Sequence, residues 1–326
     1  MARLEYINVA ERAGDPRLRL VARFEDGGLG HEVLRAEGLT YCPDSRCSIA
    51  LGGVPGEIID HDEHFRQAAD GYAKGRGLLS RRREMAVSAE EVCILGNPHS
   101  HVFFHWLGEL LKVAAIERAG FPGKYVLTPG MPAFCGEYLG LLGVAGDRIL
   151  RPPTETRFAA GWVCGHLNLF TVGDHPGALM RLRGLLADAA GDEPGRGERL
   201  WIDRRGVSRG VVNDEEIAPL LAQAGFTVVD MAELSPRQQV AAALHARVIA
   251  GPHGSGLAHA ALMGEGGALI EAFSPLHLYP CLLEVCRVLG HDYRMRAGQN
   301  APWADYAHGS GVQVKPAQLR AALGRL

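Results

Sequence analysis

Nowhere in its 326 residues does the chain reach the ~18 consecutive apolar residues that a membrane-spanning helix needs. Its first residues also lack the basic, apolar and small-residue regions of a secretory leader. These two absences predict a cytoplasmic protein, with peripheral association at the inner face of a membrane left open. An excess of charge of one sign is missing too: Lys and Arg total 34 against 37 Asp and Glu, a net charge of −3. Such a balance provides no broad cationic surface for nucleic acid, and Arg81-Arg82-Arg83 reads as a solvated loop. The seven cysteines are odd in number and scattered, which fits reduced thiols rather than a disulfide framework. Cys42 and Cys47, like Cys281 and Cys286, have the wrong spacing for a zinc ribbon. No metal and no cofactor is expected, and the chain has no internal repeat.

With 47% apolar and 22% charged residues, the chain has the composition of a folded protein. From Gly195 onward, short apolar runs alternate with helical patterns. Strands are expected at 199–203, 226–230, 247–250, 268–273 and 293–296, with helices from Asn213 and from Ser235-Pro236 between them. This is the pattern of a parallel, doubly wound sheet, whose ligands bind at the carboxyl ends of the strands. Residues 1–60 read as β-rich. An amphipathic helix follows at 103–119, and strands and helices then alternate as far as a helix running from Asp174 to about Ala190. Gly191-Asp-Glu-Pro-Gly-Arg-Gly197 is the best linker. The expected class is therefore α/β, with two Rossmann-like domains facing a cleft. The expected boundaries are a first domain over 1–194, a second, Rossmann-like domain over 195–296, and a segment over 297–326 that packs back on the first domain.

The third strand of the second half runs into Gly251-Pro-His-Gly-Ser-Gly-Leu257. Glycine tolerates positive φ and lets a ligand approach the backbone, so Gly251, Gly254 and Gly256 suggest an anion site. A helix starting at Ser255 would add free N–H groups and a favourable dipole, and His253 a hydrogen bond or a charge. A purely structural turn with a satisfied histidine explains the same residues. The turn after the first strand, Arg204-Arg205-Gly-Val-Ser-Arg209, faces the same crevice.

In order, Trp201-Ile-Asp-Arg-Arg-Gly-Val-Ser-Arg209, Asn213-Asp214, Gln238-Gln-Val240, His253-Gly-Ser-Gly-Leu257 and Ile270-Glu271 resemble the signature of glycosyltransferase family 61. That family includes bacterial capsular polysaccharide enzymes. Asn97 followed by His101-Val-Phe-Phe-His-Trp-Leu-Gly-Glu109 is similar to its pattern in the first half. His259, Gln238 and Asp214 depart from it, replacing an asparagine and two glutamates. The resemblance implies a GT-B fold, inverting chemistry, a nucleotide-sugar donor carrying UDP and no required metal. A glycan or lipid-linked glycan would be the acceptor.

A departing diphosphate gains negative charge, which donors already in place must stabilise. Arg204 or Arg205, with Arg209, supplies planar cationic contacts. His253 and the amides of Gly254, Ser255, Gly256 and Leu257 complete the cradle. Glu271 is placed to accept from ribose hydroxyls or to pair with a loop arginine, and Asn213 to touch the nucleotide or cap its helix. A base must also deprotonate the acceptor. His101, His105 and Glu109, spaced by four, form one helical stripe, with His105 the first choice and Glu109 the second. Asp60-His-Asp-Glu-His64 is another titratable cluster. Two rival readings remain open: a metal-dependent hydrolase using His101 and His105, and a non-catalytic nucleotide- or glycan-binding relative.

Overall fold

The computed structural model describes residues 5–7, 18–28, 30–42, 48–51, 57–59, 86–96, 99–128, 130–154, 156–164, 167–300 and 311–324. The clusters at Asp60–His64 and Arg81–Arg83, together with Asn97, Cys47 and the side chain of Cys42, lie outside the described residues. The chain is a mixed α/β protein that divides into two units, residues 1–182 and 183–326.

The strands of the first unit are β1 (Glu5–Ile7), β2 (Leu18–Phe24), β3 (His31–Cys42), β4 (Ser48–Leu51), β5 (Glu57–Ile59), β6 (Ala86–Leu95), β7 (Lys124–Leu127), β8 (Ile149–Leu150) and β9 (Thr156–Cys164). Among its described residues lie the helices α1 (Phe103–Arg118) and α2 (Ala133–Leu141). A seven-stranded sheet runs β2-β3-β9-β6-β7-β8, with β4 also paired to β3, and β1 pairs with β5 separately. The expectation of a Rossmann-like first half holds for only part of this sheet. Strands β9, β6, β7 and β8 are parallel, whereas β3 is antiparallel to β2, β4 and β9. The short connections from β2 to β3 and from β3 to β4 leave no room for the crossover that parallel pairing requires.

The second unit begins within α3 (Pro176–Ala190) and continues through β10 (Arg199–Ile202), α4 (Asp214–Gln223), β11 (Thr227–Val229), α5 (Pro236–His245), β12 (Val248–Pro252), β13 (Ala268–Phe273), α6 (Leu283–Leu289) and β14 (Asp292–Ala297). It ends with β15 (Gln299–Asn300), β16 (Val312–Gln313) and α7 (Pro316–Leu323). Every residue of β12 and β13 is buried, as expected of central parallel strands covered on both faces. Strand β11, at the edge, has two exposed residues of three. Helix α5 starts with a capping box between Ser235 and Gln238, so glutamine fills the role a glutamate would take there.

Two boundaries differ from those expected. The division falls inside α3 rather than at the 191–197 linker, because the last turns of α3 are tied to the second unit: Arg237 donates to Ala190 O at 3.2 Å, and Arg183 lies 3.7 Å from Glu265. The closing segment belongs to the second unit. Val312, Val314, Leu319, Ala322 and Leu323 are buried in one core with Trp201, Ile217 and Ile270, and Arg294 donates to Ala322 O at 2.6 Å. The apolar face of α7 completes the cover over the sheet of its own unit.

Candidate functional site

The sheet of the second unit has the order β11-β10-β12-β13-β14, all parallel. The chain moves from β10 to β11 on one side and later to β12 on the other. The connections leaving β10 and β12 therefore diverge, and a crevice opens at their carboxyl ends, the usual ligand position in such sheets. Two of the expected segments, Arg204–Arg209 and His253–Gly256, stand at this point.

They meet at Gly254. A Cβ added to Gly254 would lie 2.5 Å from Arg204 Cζ, so the guanidinium rests directly on the glycine backbone. Gly251 and Gly256 are confined by β10 instead, with added Cβ atoms 2.8 Å from Ile202 O and 2.8 Å from Ile202 Cγ2. The positive φ expected at these glycines is not found: none is in the left-handed region, and Gly254 at φ 167° is extended. At Gly251 glycine is needed because the backbone of β10 passes so closely, whereas a side chain at Gly254 would displace the Arg204 guanidinium.

The two adjacent arginines part company. Arg205 is exposed and turns back to Asp203, with Nε 2.6 Å from Oδ2. Arg204 turns inward, donating from Nη2 to Ser208 O at 2.8 Å while its Nε is buried without an acceptor. Arg209 is similar: Nη1 lies 3.3 Å from His277 Nε2, and Nε is buried and unpartnered. Among the described residues, neither Arg204 nor Arg209 has a carboxylate partner. Burial, reinforced by Arg209, pushes the Arg204 guanidinium down to about 10, and burial lowers Arg209 as well. Arg209 also has φ 64°, in the left-handed region that is costly for a side-chain-bearing residue. Beyond it Val211 pairs with Val312, which fixes the loop to the closing segment. Arg204, Arg205, Arg209, Gly210 and Gly311 are among the residues lining a cavity of about 260 Å³.

On the β12 side, His253 stacks on Phe273 with ring centroids 4.8 Å apart and lies 5.0 Å from the ring of His277. Its Nδ1 is 2.6 Å from Oε1 of Glu271, which is fully buried, and Tyr293 donates to Oε2 of that carboxylate at 2.7 Å. Within the protein Glu271 thus pairs with a histidine and a tyrosine rather than with a loop arginine. A 3-10 helix covers Ser255–Leu262, wound more tightly than the α-helix expected, and its first N–H groups have no partner within it. Ser255 and Gly256 are partly exposed there, while Leu257 is fully buried in the core. Asn213 clamps the closing segment, donating to Val314 O at 2.8 Å and accepting from Val314 N at 2.9 Å. Its side chain makes no helix-capping bond.

His259 is buried, with Nδ1 2.8 Å from Gly256 O and Nε2 3.3 Å from Gln239 Oε1. Burial pushes it down to about 4, against the opposing effect of the Gly256 carbonyl. It braces the 3-10 helix on α5.

The first-unit candidates are separated by the start of α1. His101 sits in the exposed turn before the helix, so the three-membered stripe is not formed; His105 and Glu109 lie within it. The His105 ring lies 5.3 Å from that of His99 and 6.4 Å from Phe170, which an Asn168 turn holds in place through Oδ1 bonds to Phe170 N at 2.7 Å and Thr171 N at 3.1 Å. Burial, with His99 and His101 nearby, pushes His105 down to about 4. Glu109 is buried, 3.3 Å from Lys112 Nζ. Among the described residues, no group of three or more His, Cys, Asp or Glu side chains is arranged to hold a metal ion. No described helix is long and apolar enough to cross a membrane.

His277 and Tyr293 had not been singled out by sequence reasoning. His277 follows β13 at its carboxyl end, where the rule that selected the Arg204 and His253 loops applies equally. Tyr293 lies two residues before Met295, the residue paired with Glu271, and so shares its face of the sheet.

A family model described as Glycosyltransferase 61 matches residues 87–270, more than half of the chain. None of the curated proteins matches it significantly.

Proposed function

The chain belongs to glycosyltransferase family 61, and on that premise we propose that it moves a hexose or pentose from a UDP-linked donor to a hydroxyl of a glycan or lipid-linked glycan, with inversion and without a required metal, in the cytoplasm during surface or capsular polysaccharide synthesis. The observation that carries the donor assignment is the pair of buried, unpartnered guanidinium Nε atoms of Arg204 and Arg209 at the switch point of the parallel sheet. A buried donor without an acceptor costs free energy, and two cations together cost more. A diphosphate relieves both costs, presenting several anionic oxygens where positive charge is already gathered.

In this reading Arg204 and Arg209 hold the diphosphate, with His253 and the N–H groups of Ser255 and Gly256 completing the cradle. As the bond from the anomeric carbon to the phosphate breaks, these groups stabilise the charge that grows on the leaving oxygen. Arg205, held by Asp203, contributes to the local potential rather than as a direct ligand. His105 is the proposed base for the acceptor hydroxyl: burial keeps its imidazole neutral, with a lone pair able to take the hydroxyl proton as transfer proceeds. Glu109, enclosed beside Lys112 on the same helix, is the second candidate.

A thermal-shift panel of nucleotide-sugars and free nucleotides, run with and without a chelator, tests the reading. UDP and one UDP-sugar are expected to raise the melting temperature to the same extent in both conditions. Stabilisation that vanishes on chelation would favour metal-dependent chemistry. Binding without hydrolysis or transfer would favour a non-catalytic relative.

A further inference from the structure

Glu271 is a fully buried carboxylate with both oxygens engaged, one by His253 Nδ1 at 2.6 Å and the other by Tyr293 OH at 2.7 Å. A carboxylate only accepts, so Nδ1 must carry the proton. In its neutral form the ring of His253 then presents Nε2 as a bare lone pair. Phosphate oxygens are acceptors as well, and two acceptors facing each other repel. His253 can therefore act as a phosphate ligand only by taking a second proton on Nε2, and Glu271 is placed to compensate the charge that this creates.

The other groups around the ring set the balance. Arg204 approaches through Gly254, and Arg209 through His277, whose ring is 5.0 Å from that of His253. Two guanidinium groups therefore lie on the side from which a diphosphate would approach the ring, and the Glu271 carboxylate lies on the other. Tyr293 and the thiols of Cys281 and Cys286 stay neutral, since burial raises all three and pushes both thiols up to about 12. Phe273 covers one face of the ring.

We infer that Glu271 is a positioning residue that makes diphosphate binding proton-linked: His253 takes a proton from solvent onto Nε2 as the diphosphate docks, and donates it as a hydrogen bond to a phosphate oxygen. This rests on the donor-site reading above. No covalent bond changes except that one proton moves from water to the imidazole and is returned when the nucleotide leaves. The device favours ligands with concentrated negative charge over uncharged sugars or nucleosides.

The test is calorimetric titration of the full chain with uridine diphosphate in two buffers of different ionisation enthalpy. Wild type is expected to take up a fraction of a proton near neutral pH, where imidazoles titrate. His253→Gln is expected to remove this uptake, and that comparison also subtracts the titration of the nucleotide's own phosphate. Glu271→Gln is expected to reduce the uptake by at least half and to weaken binding about tenfold, as loss of a charge-assisted bond does. Should Glu271→Gln fail to fold, the pH dependence of Kd decides: tightening from about pH 8 to about pH 6 in wild type and a flatter profile in His253→Gln support the inference. An observed enthalpy independent of buffer, or proton uptake that survives His253→Gln, overturns the inference while leaving the donor site standing. Failure to bind uridine diphosphate or any other nucleoside diphosphate overturns both.

Discussion

Replacing Arg204 with alanine separates binding from folding. In the empty site the guanidinium is a burden, its pKa pushed down from 12.5 to about 10 by burial and by Arg209. A shift of that size corresponds to about 3 kcal/mol, roughly halved once partial exposure and solvent screening are counted. The cost is fully present at neutral pH, where arginine is protonated in both the folded and unfolded chain, and is relieved only as pH rises past about 10. Arg204→Ala removes this cost together with the packing of the side chain on Gly254. The two losses oppose each other, and the melting temperature of the empty protein is expected to stay within about 3 °C of wild type. A diphosphate, by contrast, loses a charged partner worth about 2 kcal/mol or more, roughly thirtyfold in Kd. Arg204→Lys, which keeps the charge but not the planar fork, is expected to fall between the two. The assays are calorimetric titration with uridine diphosphate and thermal unfolding without it. Unchanged affinity with a normal melting curve refutes the assignment, and a loss of about 10 °C or more in the empty protein would make Arg204 structural.

Gly254→Ala is expected to displace the Arg204 guanidinium and weaken nucleotide binding as much as Arg204→Ala does, with no further loss when both changes are combined; additive losses would place Gly254 at a separate contact. His105→Ala is expected to reduce transfer while leaving nucleotide affinity largely intact, and a large drop in affinity measured by titration would move His105 into the donor site. His105 and His259 are held neutral in the fold, with values near 4, but protonate in the unfolded chain near 6.5, so stability present above about pH 6.5 is lost as pH falls toward 4. His259→Asn is expected to lessen that acid-side loss by an amount on the order of 3 kcal/mol, read by urea unfolding at several pH values; an unchanged slope would mean that His259 is not among the groups responsible.

Much of the second unit was legible because its strands are short apolar runs of the kind that only a covered parallel sheet can bury. The segments Val248–Pro252 and Ala268–Phe273 are apolar almost throughout, and Ser235-Pro236 marks a helix start by its own chemistry. Placing the Arg204 and His253 loops at the carboxyl ends of two strands needed only that parallel order. The first unit was less legible, since a sheet that is antiparallel on one side and parallel on the other is not encoded in the periodicity of any single strand. His101, His105 and Glu109 show the same limit: their spacing fits a helical stripe, but the helix starts at Phe103 and leaves His101 outside it.

The sequence by itself determined the elements of the second unit, the loops that leave the carboxyl ends of its strands and the family, because these depend on local propensity, apolar pattern and the order of motifs. Only the tertiary structure decided which partner each polar group takes. It turned Arg205 to Asp203 and Arg204 to Gly254, gave Asn213 to Val314, and enclosed Glu271 between His253 and Tyr293. Those choices depend on distances across a sheet and between loops remote in the chain. Burial then turned them into chemistry, since a guanidinium or an imidazole removed from water must find a partner or wait for one.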